Sequence, residues 1–155
     1  SGDVPYSPEE LDLVEFCNGL VQQSNSIQQN DRTLEFELVG EPFGVNLDAK
    51  LLRHTLSNLI SNAFKYSVGK ENPQLGIHFK PKEVVLSVKD YGLGIPEKEQ
   101  LKLFSPFFRA NNVTDIKGSG LGLNIAKEYV EINKGTISVK STEGEGSNFE
   151  IRFRR

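Results

Sequence analysis

Two stretches near the C-terminal end of the chain constrain the fold more than any other feature, because both alternate apolar and polar residues. Apolar side chains occupy alternate positions in residues 136–142 and 148–154, namely Ile137, Val139, Phe149, Ile151 and Phe153. Such alternation is typical of strands with one buried face. Since Glu143-Gly144-Glu145-Gly146 lies between them, the sequence predicts a β-hairpin.

The remaining elements indicate the fold class. Further extended segments are predicted at 33–39, 45–47, 75–79 and 83–89. Helices are predicted at 11–29, 48–66, 97–103 and 121–133. Because hairpins and helices are mixed along the chain, we predict an α+β fold. Its form is a two-layer α/β sandwich, with helices packed on one face of a mixed, largely antiparallel sheet.

Three helix ends carry recognisable signals. Asp48 is a suitable N-cap for the helix at 48–66. Ser7 and Glu10 predict a capping box for the first helix. Gly135 follows the last helix and is predicted to take the left-handed position after its C-terminus.

Composition places the chain among ordinary globular domains. It has 155 residues, of which 37% are hydrophobic and 25% charged, which suits one domain and excludes a disordered chain. We expect residues 1–9 to be a linker or cloning remnant and residues 10–155 to form the domain.

Charge, hydrophobicity and cysteine content indicate the kind of partner and the cellular location to expect. The net charge of −3 gives no reason to expect a nucleic-acid partner. No apolar run reaches the roughly 18 residues of a membrane span, so we expect no direct membrane insertion. The single cysteine, Cys17, is expected to be a small buried residue, and a reducing, cytoplasmic location is predicted. A parent protein anchored in the inner membrane is compatible with this.

The helix at 48–66 has two different faces. Its apolar stripe consists of Leu52, Leu56, Leu59, Ile60 and Ala63. On the other side, Asn58, Asn62 and Lys65 follow one another at helical spacing, with Tyr66 at the edge. Amide oxygens suit Mg²⁺ and an ammonium group suits phosphate, so this face is a candidate phosphate and metal site. The alternative is an ordinary solvated face.

Three further segments could contact a ligand. In residues 90–96, Asp90 could accept a hydrogen bond from an exocyclic amine while Gly92 and Gly94 allow close backbone approach, or the segment could be a plain turn. Residues 118–123, Gly-Ser-Gly-Leu-Gly-Leu, open a helix and suit phosphate, or form a structural loop. Residues 103–109 could belong to a lid carrying Arg109 to a terminal phosphate, or their phenylalanines could pack against a neighbouring helix.

In this order the four segments resemble the N, G1, F and G2 boxes of sensor histidine kinase ATP-binding domains. That family also includes DNA gyrase, Hsp90 and MutL. The matching stretches are NLISNAFKYS (58–67), DYGLGIP (90–96), LFSPFFR (103–109) and GSGLGL (118–123), with GEGSNF (144–149) in the closing hairpin. The resemblance covers about residues 10–153 and implies a Bergerat-type ATP-binding fold.

The resemblance implies ATP and Mg²⁺ as ligands and assigns residue roles. Asn62 would coordinate Mg²⁺ with support from Asn58, Lys65 would contact phosphate, and Tyr66 would pack near the nucleotide. Asp90 would bind the adenine amine, with Gly92, Gly94 and Ile95 shaping the pocket and Ser147 holding a water. The second glycine-rich stretch would admit the phosphates through Gly118, Ser119, Gly120, Leu121, Gly122 and Leu123. The lid, about 97–117, would bring Arg109 near the γ-phosphate, so Asn58, Lys65 and Arg109 are the implied catalytic residues.

The resemblance also implies a reaction. Related ATPases place a glutamate base four residues before the magnesium asparagine, where this chain has Asn58, so we expect little hydrolysis. The γ-phosphoryl group would pass to a histidine on a separate dimerisation domain, and then to a response regulator receiver domain. His54 and His78 do not fit the acceptor motif and are expected to be structural or solvated.

Three alternatives share the fold. One is a serine-directed kinase of the anti-sigma-factor type, and another is a catalytically silent nucleotide-binding module that regulates contacts. A hydrolase of the gyrase type is disfavoured by Asn58.

Overall fold

The computed structural model describes residues 4–27, 31–105 and 122–155. Within these ranges the helices are α1 (Leu13–Ile27), α2 (Ala49–Lys65), α3 (Glu97–Gln100) and α4 (Gly122–Ile132). The strands are β1 (Glu9–Leu11), β2 (Glu35–Val39), β3 (Val45–Leu47), β4 (Gln74–Phe79), β5 (Glu83–Asp90), β6 (Thr136–Thr142) and β7 (Gly146–Arg154). Each long helix and strand lies where the hydrophobic pattern predicts it.

In the part of the chain that the structure describes, five strands form the main sheet in the order β2-β4-β5-β7-β6. Among these described strands only β2 and β4 run parallel, and the other neighbours are antiparallel. The inward residues line up across the strands: Ile77 lies opposite Leu86, and Leu86 lies opposite Ile151. The predicted mixed, largely antiparallel sheet and its closing hairpin are therefore confirmed.

Helices α1, α2 and α4 pack on the apolar face of the sheet. The predicted stripe of α2, including Leu56 and Leu59, is buried in one core with strand residues such as Leu86 and Ile151. On the opposite face, side chains such as Lys89 and Ser138 are exposed. The alternation of the strands thus produces a two-layer α/β sandwich, as predicted.

A small ribbon of β1 and β3 leads into the first helix. The two strands pair antiparallel, with Glu9 opposite Leu47. This corrects the predicted capping box, because Ser7 and Glu10 are not at the start of α1. Asp12 takes that role, its carboxylate accepting a hydrogen bond from the Glu15 N–H at 3.1 Å.

Asp48 joins three parts of the fold. Its Oδ1 accepts the Leu51 N–H at 3.1 Å, which confirms the predicted N-cap of α2. Its Oδ2 accepts the Ser7 N–H at 2.7 Å from the segment before β1. Asn133, just after α4, accepts the Asp48 N–H at 2.8 Å and donates to the Asp48 carbonyl at 3.2 Å. The starts of α2 and β1 are thereby fixed to the end of α4.

The end of α4 differs from the prediction by one residue. Lys134, with φ of 64°, takes the left-handed position that was predicted for Gly135. The Lys134 N–H donates to the Glu131 carbonyl and the Gly135 N–H to the Val130 carbonyl, both at 2.9 Å. This is the hydrogen-bond pattern of a Schellman motif, in which Gly135 is the second residue beyond the helix.

The segment after α3 is only partly described. Helix α3 ends at Gln100, earlier than the predicted residue 103. Leu103 is buried, and Phe104 contacts the Phe149 ring at a centroid distance of 6.4 Å. These two residues favour packing in the core. The rest of the predicted lid, from residue 106, lies outside the described residues.

None of the helices in the described part of the chain combines the length and the apolar character that crossing a bilayer requires.

We expect Asp48→Ala to lower the free energy of unfolding by about 2 kcal/mol, since it removes a helix cap and a buried acceptor. The hydrogen bond from the Ser7 N–H is the main cause that lowers the pKa of Asp48, despite burial. Because its pKa is lowered in the folded state, the Asp48 carboxylate stabilises the fold at pH values above its unfolded-state pKa. This stabilisation disappears as the pH falls through the folded-state pKa. The cost of the substitution should therefore shrink below about pH 4.

Urea unfolding of both proteins across this pH range measures the effect. Asp12→Ala is the matched control, because Asp12 caps α1 at an exposed position and should cost at most about 1 kcal/mol. Equal costs for the two substitutions would contradict the role of Asp48 as a junction.

Candidate functional site

The amide face of α2 is ordered by a side-chain hydrogen bond. Asn58 and Asn62 are both half-buried, and the Asn62 Nδ2 donates to the Asn58 Oδ1 at 3.3 Å. This bond uses an N–H of Asn62, so its carbonyl oxygen is the atom of that side chain suited to a cation. The pair thus offers an oriented amide oxygen one helical turn from a second amide.

The start of α4 lies against this amide face. A Cβ atom on Gly122 would overlap the Asn58 amide, so the backbone of α4 lies directly against this side chain. Leu123, the next residue, is half-buried and packs against the core. A helix N-terminus carries a partial positive charge. An anionic group near Asn58 would therefore be favoured by the helix dipole.

The C-terminal end of α2 is in contact with the loop after β5. Tyr66 ends the helix, and its carbonyl accepts the Leu93 N–H at 3.1 Å. A Cβ on Gly92 would overlap that carbonyl oxygen and the backbone of Ser67. The Lys65 Nζ lies 5.6 Å from the centre of the Tyr66 ring. The C-terminal end of α2 and the loop at 90–96 are therefore packed against each other.

Asp90 is a buried carboxylate at the end of β5. It is 7% exposed, and its Oδ1 accepts the Gly92 N–H at 2.9 Å. Burial raises the pKa of Asp90, while hydrogen bonds from the Gly92 and Ser147 backbones and the charge of Arg32 act in the opposite direction. Burial dominates because it removes the carboxylate from water. Asp90 thus presents a strong acceptor in a protected position.

The loop after Asp90 is also attached to the β6–β7 hairpin. Gly94 has φ of 67°, and a Cβ there would overlap the Thr142 carbonyl oxygen. The Gly144 N–H donates to the Leu93 carbonyl at 2.7 Å, and the Ile95 N–H donates to the Ser141 Oγ at 2.8 Å. The loop is therefore held between α2 on one side and the hairpin on the other.

Ser147 lies beside Asp90 on the neighbouring strand. The two residues are Cα partners in the sheet, and Ser147 is 8% exposed. Its Oγ is 2.8 Å from the Ser141 Oγ. A hydroxyl and a carboxylate therefore stand side by side at one end of the site.

The described candidate residues fall into two neighbouring groups. The amide group comprises Asn58, Asn62 and Gly122, with Leu123 behind it; the carboxylate group comprises Asp90, Gly92, Gly94, Ile95 and Ser147. Lys65 and Tyr66 lie between them, at the end of α2. Arg109, Gly118, Ser119, Gly120 and Leu121 lie outside the described residues.

Arg32 supports the site although no motif indicated it. Its guanidinium donates to the Ser67 Oγ at 2.6 Å and to the Phe64 carbonyl at 3.4 Å, at the end of α2. Ser67 donates in turn to the Ala63 carbonyl at 2.6 Å. Arg32 precedes β2, far from α2 in sequence, so local spacing could not reveal this contact.

Ser141 and Gln100 also support the site, although the sequence motifs did not indicate either of them. The Gln100 Nε2 donates to the carbonyls of Ile95 and Ser141, at 2.9 and 3.0 Å. The available signal was the alternation of β6, because Ser141 occupies a position of the same parity as Ile137 and Val139. A polar residue where the pattern calls for an apolar one indicates a specific hydrogen-bonding role.

Comparison with known proteins gives consistent results. Residues 47–155 match the family model described as histidine kinase-, DNA gyrase B-, and HSP90-like ATPase. The signal transduction histidine-protein kinase ArlS of Staphylococcus aureus (strain USA300) is 30% identical over 158 residues, which cover 98% of this chain and 35% of ArlS. The chain therefore spans about a third of the length of this curated relative.

Solved structures show the same architecture. The mycobacterial sensor histidine kinase MprB has a TM-score of 0.75 at 26% identity, with 96% of this chain and 97% of that chain covered. Full-length ShkA in complex with AMPPNP has a TM-score of 0.83 at 20% identity, with 96% of this chain and 31% of that chain covered. The ShkA match supports the fold alone.

We expect Asp90→Asn to raise the free energy of unfolding at pH 7, because it replaces a desolvated charge with an amide that still accepts the Gly92 N–H. Burial raises the pKa of Asp90 in the folded state. The charge of Asp90 therefore lowers the free energy of unfolding by an amount that grows as the pH rises from the unfolded-state pKa to the folded-state pKa. At pH values below both pKa values this effect is absent. The advantage of Asp90→Asn should disappear near pH 3.5, where the unfolded-state carboxyl, of pKa about 3.9, is also protonated.

Chemical denaturation at both pH values tests this, with the exposed Asp31→Asn as control. A loss of stability at pH 7, or a difference that does not change with pH, would show that burial is not the dominant influence on Asp90.

Proposed function

Because the chain belongs to the histidine kinase-, DNA gyrase B-, and HSP90-like ATPase family, we propose that it is the catalytic domain of a sensor histidine kinase. In this proposal the domain binds ATP with Mg²⁺ and donates the γ-phosphoryl group to a histidine on a separate dimerisation domain. The observation that carries the proposal is the buried Asp90 carboxylate, held beside Ser147 at one end of a surface whose other end is the Asn58–Asn62 amide pair.

The carboxylate end fits an adenine ring. A carboxylate accepts several hydrogen bonds, so Asp90 has capacity for an exocyclic amine beyond the Gly92 N–H. Gly92 lies against the end of α2, where a Cβ would overlap the Tyr66 carbonyl oxygen, so the loop after Asp90 is held close to that helix. Asp90 therefore binds and orients the purine, and Ser147 holds a water beside it.

The amide end fits a metal-bound triphosphate. The donor set is oxygen-based, as Mg²⁺ requires, and the oriented Asn62 amide supplies the protein ligand. Lys65 provides a positive charge for the phosphates, and Gly122 brings the start of α4 to the same place. Bound ATP supplies the activated phosphoryl group, while these residues position it.

Asn58 favours transfer over hydrolysis. It occupies the position where a hydrolase would need a base, and an amide does not accept a proton at neutral pH. His54 packs edge-to-face on Tyr129 at 4.9 Å, and His78 is exposed on the opposite side of the sheet. Neither histidine is followed by the acidic residue of the family's acceptor motif, so the proposal places the acceptor on another domain. A response regulator receiver domain then takes the phosphoryl group.

Two substitutions should separate the two ends of the site. Asn62→Ala should remove the Mg²⁺-dependent part of nucleotide affinity, since it deletes the proposed ligand and leaves α2 intact. Asp90→Asn should weaken ADP and a non-hydrolysable ATP analogue alike, by at least tenfold, because both carry adenine and a charged acceptor is lost. Isothermal titration with and without Mg²⁺ measures both.

Each variant serves as the control for the other. Unchanged Mg²⁺ dependence in Asn62→Ala would remove Asn62 from the metal site. A loss confined to the ATP analogue in Asp90→Asn would contradict its contact with the purine.

The proposed reaction is tested by following the γ-phosphate of labelled ATP. The chain alone should release phosphate slowly, because Asn58 provides no base. A longer segment of the parent protein that includes the histidine-bearing domain should acquire acid-labile label, as phosphohistidine does. Rapid hydrolysis by the chain alone would favour a gyrase-type ATPase, and label stable to acid would favour a serine kinase.

A further inference from the structure

Three polar residues form a row across the inner face of the sheet, at the end where β5 leads into the loop at 90–96. Asp90 on β5 is the Cα partner of Ser147 on β7, and Ser147 is the Cα partner of Ser141 on β6. Cross-strand partners lie about 5 Å apart and point to the same face. Asp90 and Ser147 belong to the proposed purine pocket, whereas Ser141 lies one strand further away, behind Ser147.

The hydroxyl of Ser141 has three partners. It accepts the Ile95 N–H at 2.8 Å, contacts the Gly146 carbonyl at 2.9 Å and contacts the Ser147 Oγ at 2.8 Å. A serine hydroxyl has one hydrogen to donate and two lone pairs. A carbonyl only accepts, so all three contacts are hydrogen bonds only when the hydrogen of Ser141 points to Gly146 and both of its lone pairs accept.

This arrangement determines the direction of the bond between the two serines. In this fully satisfied arrangement Ser147 is the donor and Ser141 the acceptor. The Ser147 oxygen is then left with its lone pairs for a ligand or a water. Beside it the Asp90 carboxylate also accepts. The pocket therefore presents two hydrogen-bond acceptors and no hydroxyl donor at this point.

We propose that Ser141 is a positioning residue that sets purine specificity, because it fixes the Ser147 hydroxyl as an acceptor toward the ligand. Asp90 accepts directly from the exocyclic amine at position 6 of adenine, and Ser147 accepts from the water that receives the other hydrogen of that amine. These acceptors cannot form a hydrogen bond with the carbonyl oxygen that hypoxanthine carries at the same position. The inference rests on the proposed nucleotide-binding function. It adds Ser141 as the residue that orients the Ser147 hydroxyl.

The surrounding backbone allows this role to be tested by removing the hydroxyl alone. Gln100 donates to the carbonyls of Ile95 and Ser141. The Gly144 N–H independently holds the Leu93 carbonyl at 2.7 Å. These bonds keep the loop on the hairpin when the Ser141 hydroxyl is absent, so Ser141→Ala should retain the fold and free the Ser147 hydroxyl to rotate.

The experiment is a titration of the chain with ADP and with inosine 5′-diphosphate, which differ at position 6 of the purine. In Ser141→Ala the ratio of ADP to inosine diphosphate affinity should fall roughly fivefold, the effect of one ordered hydrogen bond. Ser141→Thr keeps a hydroxyl and should keep the ratio. Ser138→Ala, on the exposed face of the same strand, is the matched control and should leave both affinities unchanged.

Should Ser141→Ala not fold, Ser141→Cys replaces it, because a thiol fills similar space but hydrogen-bonds weakly; the same fall in the ratio is expected. An equal loss of both affinities would overturn the proposal, because plain structural support does not discriminate between the two purines. An unchanged ratio, or no preference for ADP in the unsubstituted chain, would also overturn it. Absence of ADP binding by the folded, unsubstituted chain would instead refute the proposed function itself.

Discussion

The arrangement of the site depends on two close contacts between backbones at either side of one loop. Gly92 lies so near the Tyr66 carbonyl at the end of α2 that a Cβ there would overlap it, and Gly94 lies equally near the Thr142 carbonyl of the hairpin. The loop at 90–96 is thereby held between the helix layer and the end of the sheet. Because Asp90 begins this loop, its carboxylate is fixed relative to the amides of α2, and one helix supports both ends of the site.

Two buried aspartates have opposite effects on the stability of the fold. Asp48 is surrounded by backbone N–H donors that lower its pKa, so its charge stabilises the junction of α2, β1 and α4. Burial instead raises the pKa of Asp90, so its charge lowers the stability of the fold. In the proposed function a ligand uses this destabilising charge, since an acceptor shielded from water binds a donor more strongly.

The elements were predictable where local patterns determine them, as for α2 with its apolar stripe and its cap at Asp48. The three-residue strand β1 is too short to alternate visibly, and it depends on pairing with β3. The left-handed position after α4 was wrongly predicted at Gly135, because glycine is the usual residue there, whereas Lys134 adopts that conformation. The candidate residues of the site were found from motif order. The contacts of Arg32 come from a distant segment, and no local spacing encodes them. For Ser141, the alternation of β6 indicates a polar residue on the inner face but does not reveal its bond to Ile95.

The most direct test of the account is an amide NMR titration of the unsubstituted chain with ADP, with and without Mg²⁺. The account predicts saturable one-to-one shifts concentrated on the amides of residues 90–95. Addition of Mg²⁺ should extend them to the side-chain amides of Asn58 and Asn62. Shifts confined to the outer face of the sheet, around Ser87 and Lys89, would contradict it. So would the absence of saturable change in a folded sample.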